Sequence, residues 1–146
     1  MRKVIEPGMD QFTLIPHISD IQLKVEAPTL ERLFISALDG MNSILNPNYR
    51  LELNRHSLVQ EFSTSSVDTT ALLIDFLSTV LTLSYVHRVI FHTVDLITIE
   101  DNALNVHLIG TKVDRFTEDI KAVTYHQAEV ITNDRGNYET NIVFDI

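Results

Sequence analysis

The chain has 146 residues and no cysteine, which fits one globular domain and excludes disulfide scaffolds, thiolate zinc sites and cysteine nucleophiles. With 45% hydrophobic and 21% charged residues it can build a core, so a disordered tail is excluded as well. Twenty Asp and Glu against eleven Lys and Arg leave a formal net charge of −9, which suits a basic protein partner or a bound cation and makes high-affinity nucleic-acid binding unexpected.

Met1 to Gly8 carries charge and a proline where a secretory leader needs an apolar run. No stretch reaches the ~18 consecutive apolar residues of a membrane span, so a cytoplasmic location without membrane contact is expected. Thr13-Leu14-Ile15 leads through Pro16-His17 to a polar corner at Ser19-Asp20. Ile21-Gln22-Leu23-Lys24-Val25-Glu26 then alternates with period two, the pattern of a half-buried strand. After Pro28 the period changes: Leu30, Leu33, Phe34, Ala37, Leu38, Met41, Ile44 and Leu45 form one helical stripe, which Asn46-Pro47-Asn48 ends.

A strand is predicted over 57–63. Ser65 or Ser66 can cap a second helix, with Asp68 adding negative charge near its positive end. Leu72, Leu73, Phe76, Leu77, Val80 and Leu81 give that helix an apolar face. Residues 91–99, a turn at 100–102 and residues 103–109 read as a hairpin rich in β-branched side chains. A loop over 110–119 follows, then a second hairpin from 122–131 and 138–146 around Asn133-Asp134-Arg135-Gly136. The expected fold is a single α+β domain over 1–146, with two amphipathic helices packed on an antiparallel sheet.

Catalytic signatures are missing. The glycines at 8, 40, 110 and 136 stand singly, so there is no phosphate-binding loop, and neither G-x-S-x-G nor H-E-x-x-H occurs. The chain is therefore not read as an enzyme; a metal-dependent phosphohydrolase would lack an evident base or nucleophile. The unusual feature is the end, where Asn141-Ile142-Val143-Phe144-Asp145-Ile146 stays strand-like to the last residue. The Ile146 carboxylate would lie beside that of Asp145, and Asp20 would join them if the fold brings its corner there. Such an oxygen-rich group suits calcium, magnesium or manganese. The alternative is a solvated Asp145 and a turn-forming Asp20 that caps its own backbone. His17 could be a ligand or orient Asp20, Lys121 could neutralise the carboxylates or be merely exposed, and His126 sits mid-strand, where a hydrogen-bonded core histidine is common.

Lys121-Ala122-Val123-Thr124-Tyr125-His126 matches the K-A-V-T-Y-H signature of the archease family. His17-Ile18-Ser19-Asp20 resembles the family's H-T-A-D, and Thr29-Leu30-Glu31-Arg32-Leu33-Phe34 its T-L-E-E-L-F. The run from Leu72 to Leu81 resembles L-L-V-x-W-L-N-E-L-L, and the chain ends in Phe144-Asp145-Ile146 as archeases end in a hydrophobic residue followed by D-I. The resemblance implies a strand–helix–strand–strand sandwich. It also implies a metal-binding accessory protein of tRNA splicing, one that activates an RtcB-type RNA ligase by promoting its guanylylation and multiple turnover. A chaperone or modulator of another RNA-modifying enzyme, such as a tRNA methyltransferase, with a structural metal, is the alternative. The metal site implied, commonly assigned to calcium in relatives, maps onto Asp20, Asp145 and Ile146, with His17, Lys121 and His126 as supporting or partner-contact groups. Ile18, Ser19, Thr79 and Thr111 depart from the family pattern.

Overall fold

In the computed structural model, which describes residues 3–5, 11–13, 19–52 and 57–146, two short strands β1 (Lys3–Ile5) and β2 (Gln11–Thr13) pair antiparallel. Leu14, Ile15, Pro16, His17 and Ile18, which lead to the polar corner, lie outside the described residues. The alternating run becomes β3 (Asp20–Ala27), which buries Val25 and Ala27 and exposes Gln22 and Lys24.

Helix α1 (Leu30–Leu45) is one-sided, as its stripe requires, and buries Leu33, Phe34, Ala37, Leu38, Met41 and Leu45. Thr29 caps it, its Oγ1 accepting from the Arg32 N–H at 3.2 Å. Asn46 closes it, its N–H donating to the Asn42 carbonyl. A 3-10 turn (Tyr49–Glu52) follows, then β4 (Ser57–Ser65).

Helix α2 (Thr69–His87) is apolar around most of its circumference, and only Thr82 and Val86 are exposed. Among the described residues it is the one helix long and apolar enough to cross a membrane by length and composition; here it is the core helix. Asp68, not Ser65 or Ser66, is its cap, with Oδ1 accepting from the Ala71 N–H at 2.8 Å. The helix ends at Arg88, which takes the left-handed conformation (φ 54).

The remaining strands are β5 (Val89–Glu100), β6 (Ala103–Lys112), β7 (Ala122–Thr124), β8 (Ile131–Thr132) and β9 (Tyr138–Asp145). With β3 and β4 they form two antiparallel sheets, as the sandwich implied by the family resemblance requires, where the residues alone suggested one. The three-stranded sheet runs β4-β6-β5; in the four-stranded sheet β9 is central, with β3 on one side and β7 and β8 on the other. The helices pack with the inner faces of both sheets into one core, a two-helix α+β architecture. Phe76 lies between Phe34 and Phe62, with ring centroids at 5.6 and 6.2 Å. The β5 ladder breaks at a bulge between Ile90 and Thr93, and buried Asn42 donates from Nδ2 to the Phe91 carbonyl there at 2.9 Å.

The turn between β8 and β9 is clamped to β3. Arg135 donates to both Glu26 oxygens at 2.8 Å, and the amides of Asn133 and Asn137 donate to Oε2 at 2.8 and 2.9 Å. Arg135 foremost, then Asn137 and Asn133, holds the Glu26 carboxyl at about 2, below its ordinary 4.5.

Candidate metal site

Strand β9 carries Asp145 at its end, and the register sets Asp145 directly opposite Asp20, the first residue of β3. The Ile146 N–H donates to the Ser19 carbonyl at 3.0 Å, which makes Asp20–Asp145 a non-hydrogen-bonded pair. In such a pair the Cα atoms stand about 4.5 Å apart and the side chains lean on the same side of the sheet. On the other flank Ala122 of β7 is also level with Asp145, and the Lys121 N–H donates to the Asp145 carbonyl at 2.7 Å. Three chain segments remote in sequence thus meet at one strand end.

The corner is held from behind. Ile146 packs half-buried against the core, and Ile120, fully buried, anchors the segment before Lys121. Tyr85 of α2 donates its hydroxyl to the Ile120 carbonyl at 2.7 Å. Burial, reinforced by the carboxylates of Asp119 and Glu118, pushes the Tyr85 phenol up to about 12, so it keeps the proton it donates.

Asp20 and Asp145 are both exposed, and among the described residues neither side chain has a hydrogen-bond or ion-pair partner. Like charges set directly opposite on adjacent strands destabilise the pair. A cation between them reverses that sign, and two carboxylate donors suit a hard ion of the calcium or magnesium kind. Two are not a complete set. Among the described residues no three His, Asp or Glu side chains gather, so further donors would be oxygens of Ser19 and Ile146, or water.

Of the residues singled out in the sequence, Asp20, Asp145 and Ile146 come together, and Lys121 joins them through its main chain with its side chain exposed. His126 does not lie mid-strand. Strand β7 stops at Thr124, Gln127 turns with a positive φ of 60, and His126 is exposed in that turn. The strand expected over 122–131 is interrupted because residues after Thr124 bond to α2: the Val130 N–H donates to Thr70 Oγ1 at 3.0 Å and the Tyr125 hydroxyl to Asp75 Oδ1 at 2.7 Å. Two departures from the family pattern have local partners: Thr111 is buried against His92 Nε2 at 2.9 Å, and Thr79 donates to the Asp75 carbonyl.

Sequence reasoning passed over Asp75, whose oxygens accept from both Tyr125 and Ser66, the latter at 2.6 Å. A signal was present, since Asp75 is the only acidic or basic residue of α2 apart from His87. It also passed over a cleft of about 360 Å³ beside the corner, lined by Tyr85, Arg88, Arg115 and Phe116 with Asp114, Glu118 and Asp119.

The chain matches the model of the Archease protein family over residues 12–146. It is 29% identical over 144 residues to "Protein archease" of Methanosarcina barkeri, covering 93% of this chain and 96% of the relative. Its fold is similar to the solution structure of protein 1598 of Methanobacterium thermoautotrophicum, with TM-score 0.67, 20% identity, and 90% and 96% of the two chains covered. It is also similar to the crystal structure of "an archease, possible chaperone" from Thermotoga maritima, with TM-score 0.60, 22% identity, and 94% and 99% covered.

Proposed function

The chain belongs to the archease family, and on that premise we propose that it is an accessory protein of tRNA splicing that activates an RtcB-type RNA ligase through a cation-binding corner. The observation that carries this reading is the direct opposition of Asp20 and Asp145, two exposed carboxylates without partners among the described residues. Asp20 and Asp145 hold the ion, and the Ile146 carboxylate is the third ligand in a chain that ends there. A bound divalent cation, with calcium fitting the all-oxygen set, supplies positive charge and open coordination positions at the surface. The protein's own part is to orient those oxygens. Strand β9 fixes Asp145 between β3 and β7, the Ser19–Ile146 bond fixes Ile146, and exposed Lys121 stands beside both as a contact for the ligase.

The test is a ligation time course with tRNA halves, GTP, Mn²⁺ and limiting ligase from the same organism. Product should stop near one equivalent of ligase without the protein, continue with the wild type, and stop again with Asp20→Ala. Unchanged turnover with a competent ligase refutes the reading. One residue added after Ile146 converts its carboxylate to an amide, and full activity of that variant would remove the terminus from the ligand set.

A second reading, a chaperone-like modulator of another RNA-modifying enzyme, is favoured by the description of the Thermotoga maritima relative as a possible chaperone. On that reading the cation is structural, and Asp20→Ala lowers partner binding only in proportion to the fraction unfolded.

A further inference from the structure

Away from the cation corner, three segments meet around the start of α2. The Ser66 N–H donates to the Asn102 carbonyl at 3.0 Å, joining the β5–β6 turn. Tyr125 and Ser66 share the Asp75 carboxylate, and Val130 bonds to Thr70, joining the loop after β7. This junction presents apolar surface: Val67 is 87% exposed and Tyr125 57%, with Ile131 at the margin. Tyr125 is held in place while its ring faces solvent. Its hydroxyl is bonded to Asp75, its carbonyl accepts from the Ala128 N–H at 3.1 Å, and the turn tolerates a left-handed Gln127 to keep it there. A rigid exposed aromatic ring is the usual anchor of a protein interface, since little entropy is lost when it is covered.

The charge is one-sided. Residues 66–75, 99–103 and 122–131 hold five carboxylates (Asp68, Asp75, Glu100, Asp101 and Glu129) and no lysine or arginine. A second copy presenting the same face would bring five more, so self-association is disfavoured, whereas a basic surface is attracted. An aromatic face within an acidic surround is also what a cationic side chain binds best.

We propose that this face docks a basic protein surface, which sets an arginine or lysine on the Tyr125 ring and an aliphatic side chain over Val67. Its owner is the RNA ligase proposed above, so the assignment rests on that reading. The face supplies affinity, and the cation corner supplies activation.

The experiment measures ligation turnover against accessory-protein concentration, using the full chain and the same organism's ligase, at 0.05 and 0.5 M NaCl. The variant Glu100→Lys/Glu129→Lys, which alters surface charges alone, should raise the half-saturating concentration roughly tenfold at low salt and much less at high salt, with the plateau unchanged. Val67→Ser should raise it at both salts. Asp20→Ala should instead lower the plateau. A wild-type protein that activates, with both face variants saturating at wild-type concentration, overturns the docking face alone. A wild-type protein that never activates overturns the ligase reading and this assignment with it. A wild-type dimer in sedimentation that Val67→Ser dissolves would give the face to a second copy and overturn the proposal.

Discussion

Replacing Asp145 with Asn removes one of two negative charges that β3 and β9 hold opposite each other. With the Cα atoms about 4.5 Å apart, the carboxylates lie at ~5 Å, where their repulsion in water-like surroundings is about 0.8 kcal/mol. The Debye length of about 8 Å at physiological salt screens that to roughly 0.4 kcal/mol. In EDTA the variant should therefore melt about 1–2 °C above the wild type. Calcium at about 100 times its dissociation constant should then stabilise the wild type by ~2.7 kcal/mol, or about 5–11 °C, and leave the variant nearly unmoved. The order of the two melting temperatures inverts between EDTA and calcium, because the bound ion outweighs the repulsion several-fold. Thermal unfolding followed by circular dichroism reads this directly. An equal calcium shift in both proteins refutes the ligand role, and an Asn variant destabilised in EDTA refutes the repulsion.

Further outcomes are expected elsewhere. Because the Glu26 carboxyl is depressed from 4.5 to about 2 in the folded state, its contribution is full above pH 4.5 and is lost as pH falls towards 2. The melting-temperature gap between wild type and Glu26→Gln should shrink across that window, and a gap independent of pH would show that the clamp does not depend on charge. Arg88→Gly should stabilise the protein by roughly 0.5–1 kcal/mol in urea unfolding, since the left-handed end of α2 costs an L-residue more than glycine. Gly110→Ala should cost about 1–3 kcal/mol, because its Cβ would collide with Val89 Cγ1 and stand 2.9 Å from the Ile90 carbonyl oxygen, a backbone atom that cannot turn aside.

The parts of the fold that are local were legible. The apolar stripe from Leu30 to Leu45 and the Asn46-Pro47-Asn48 stop give α1 its observed end, β3 lies where alternation placed it, and β4 and the β5–β6 hairpin lie where strands were expected. The misread places are set by partners far along the chain. Residues 122–131 have strand-like composition, yet Tyr125 and Val130 find hydrogen bonds on α2, and nothing within the segment announces Asp75 or Thr70. The cap of α2 went to Asp68 because Ser66 is taken by Asp75. Of the candidate site, Asp145 beside Ile146 is adjacent in sequence and so could be read. Its pairing with Asp20 is a matter of sheet register, for which the residues gave only a condition. The split into two sheets was implied by the family resemblance alone, since alternation fixes which side chains face inward but not which strands become neighbours.

The pairing of β3 with β9 also joins strands that lie near opposite ends of the sequence. An ion shared by Asp20 and Asp145 would therefore be a reversible crosslink closing almost the whole chain into one loop. Such a link restrains the unfolded ensemble more, the longer the loop it closes. Chelation and reloading would then remove and restore that link while the β3–β9 ladder stays paired, with no covalent bond made or broken.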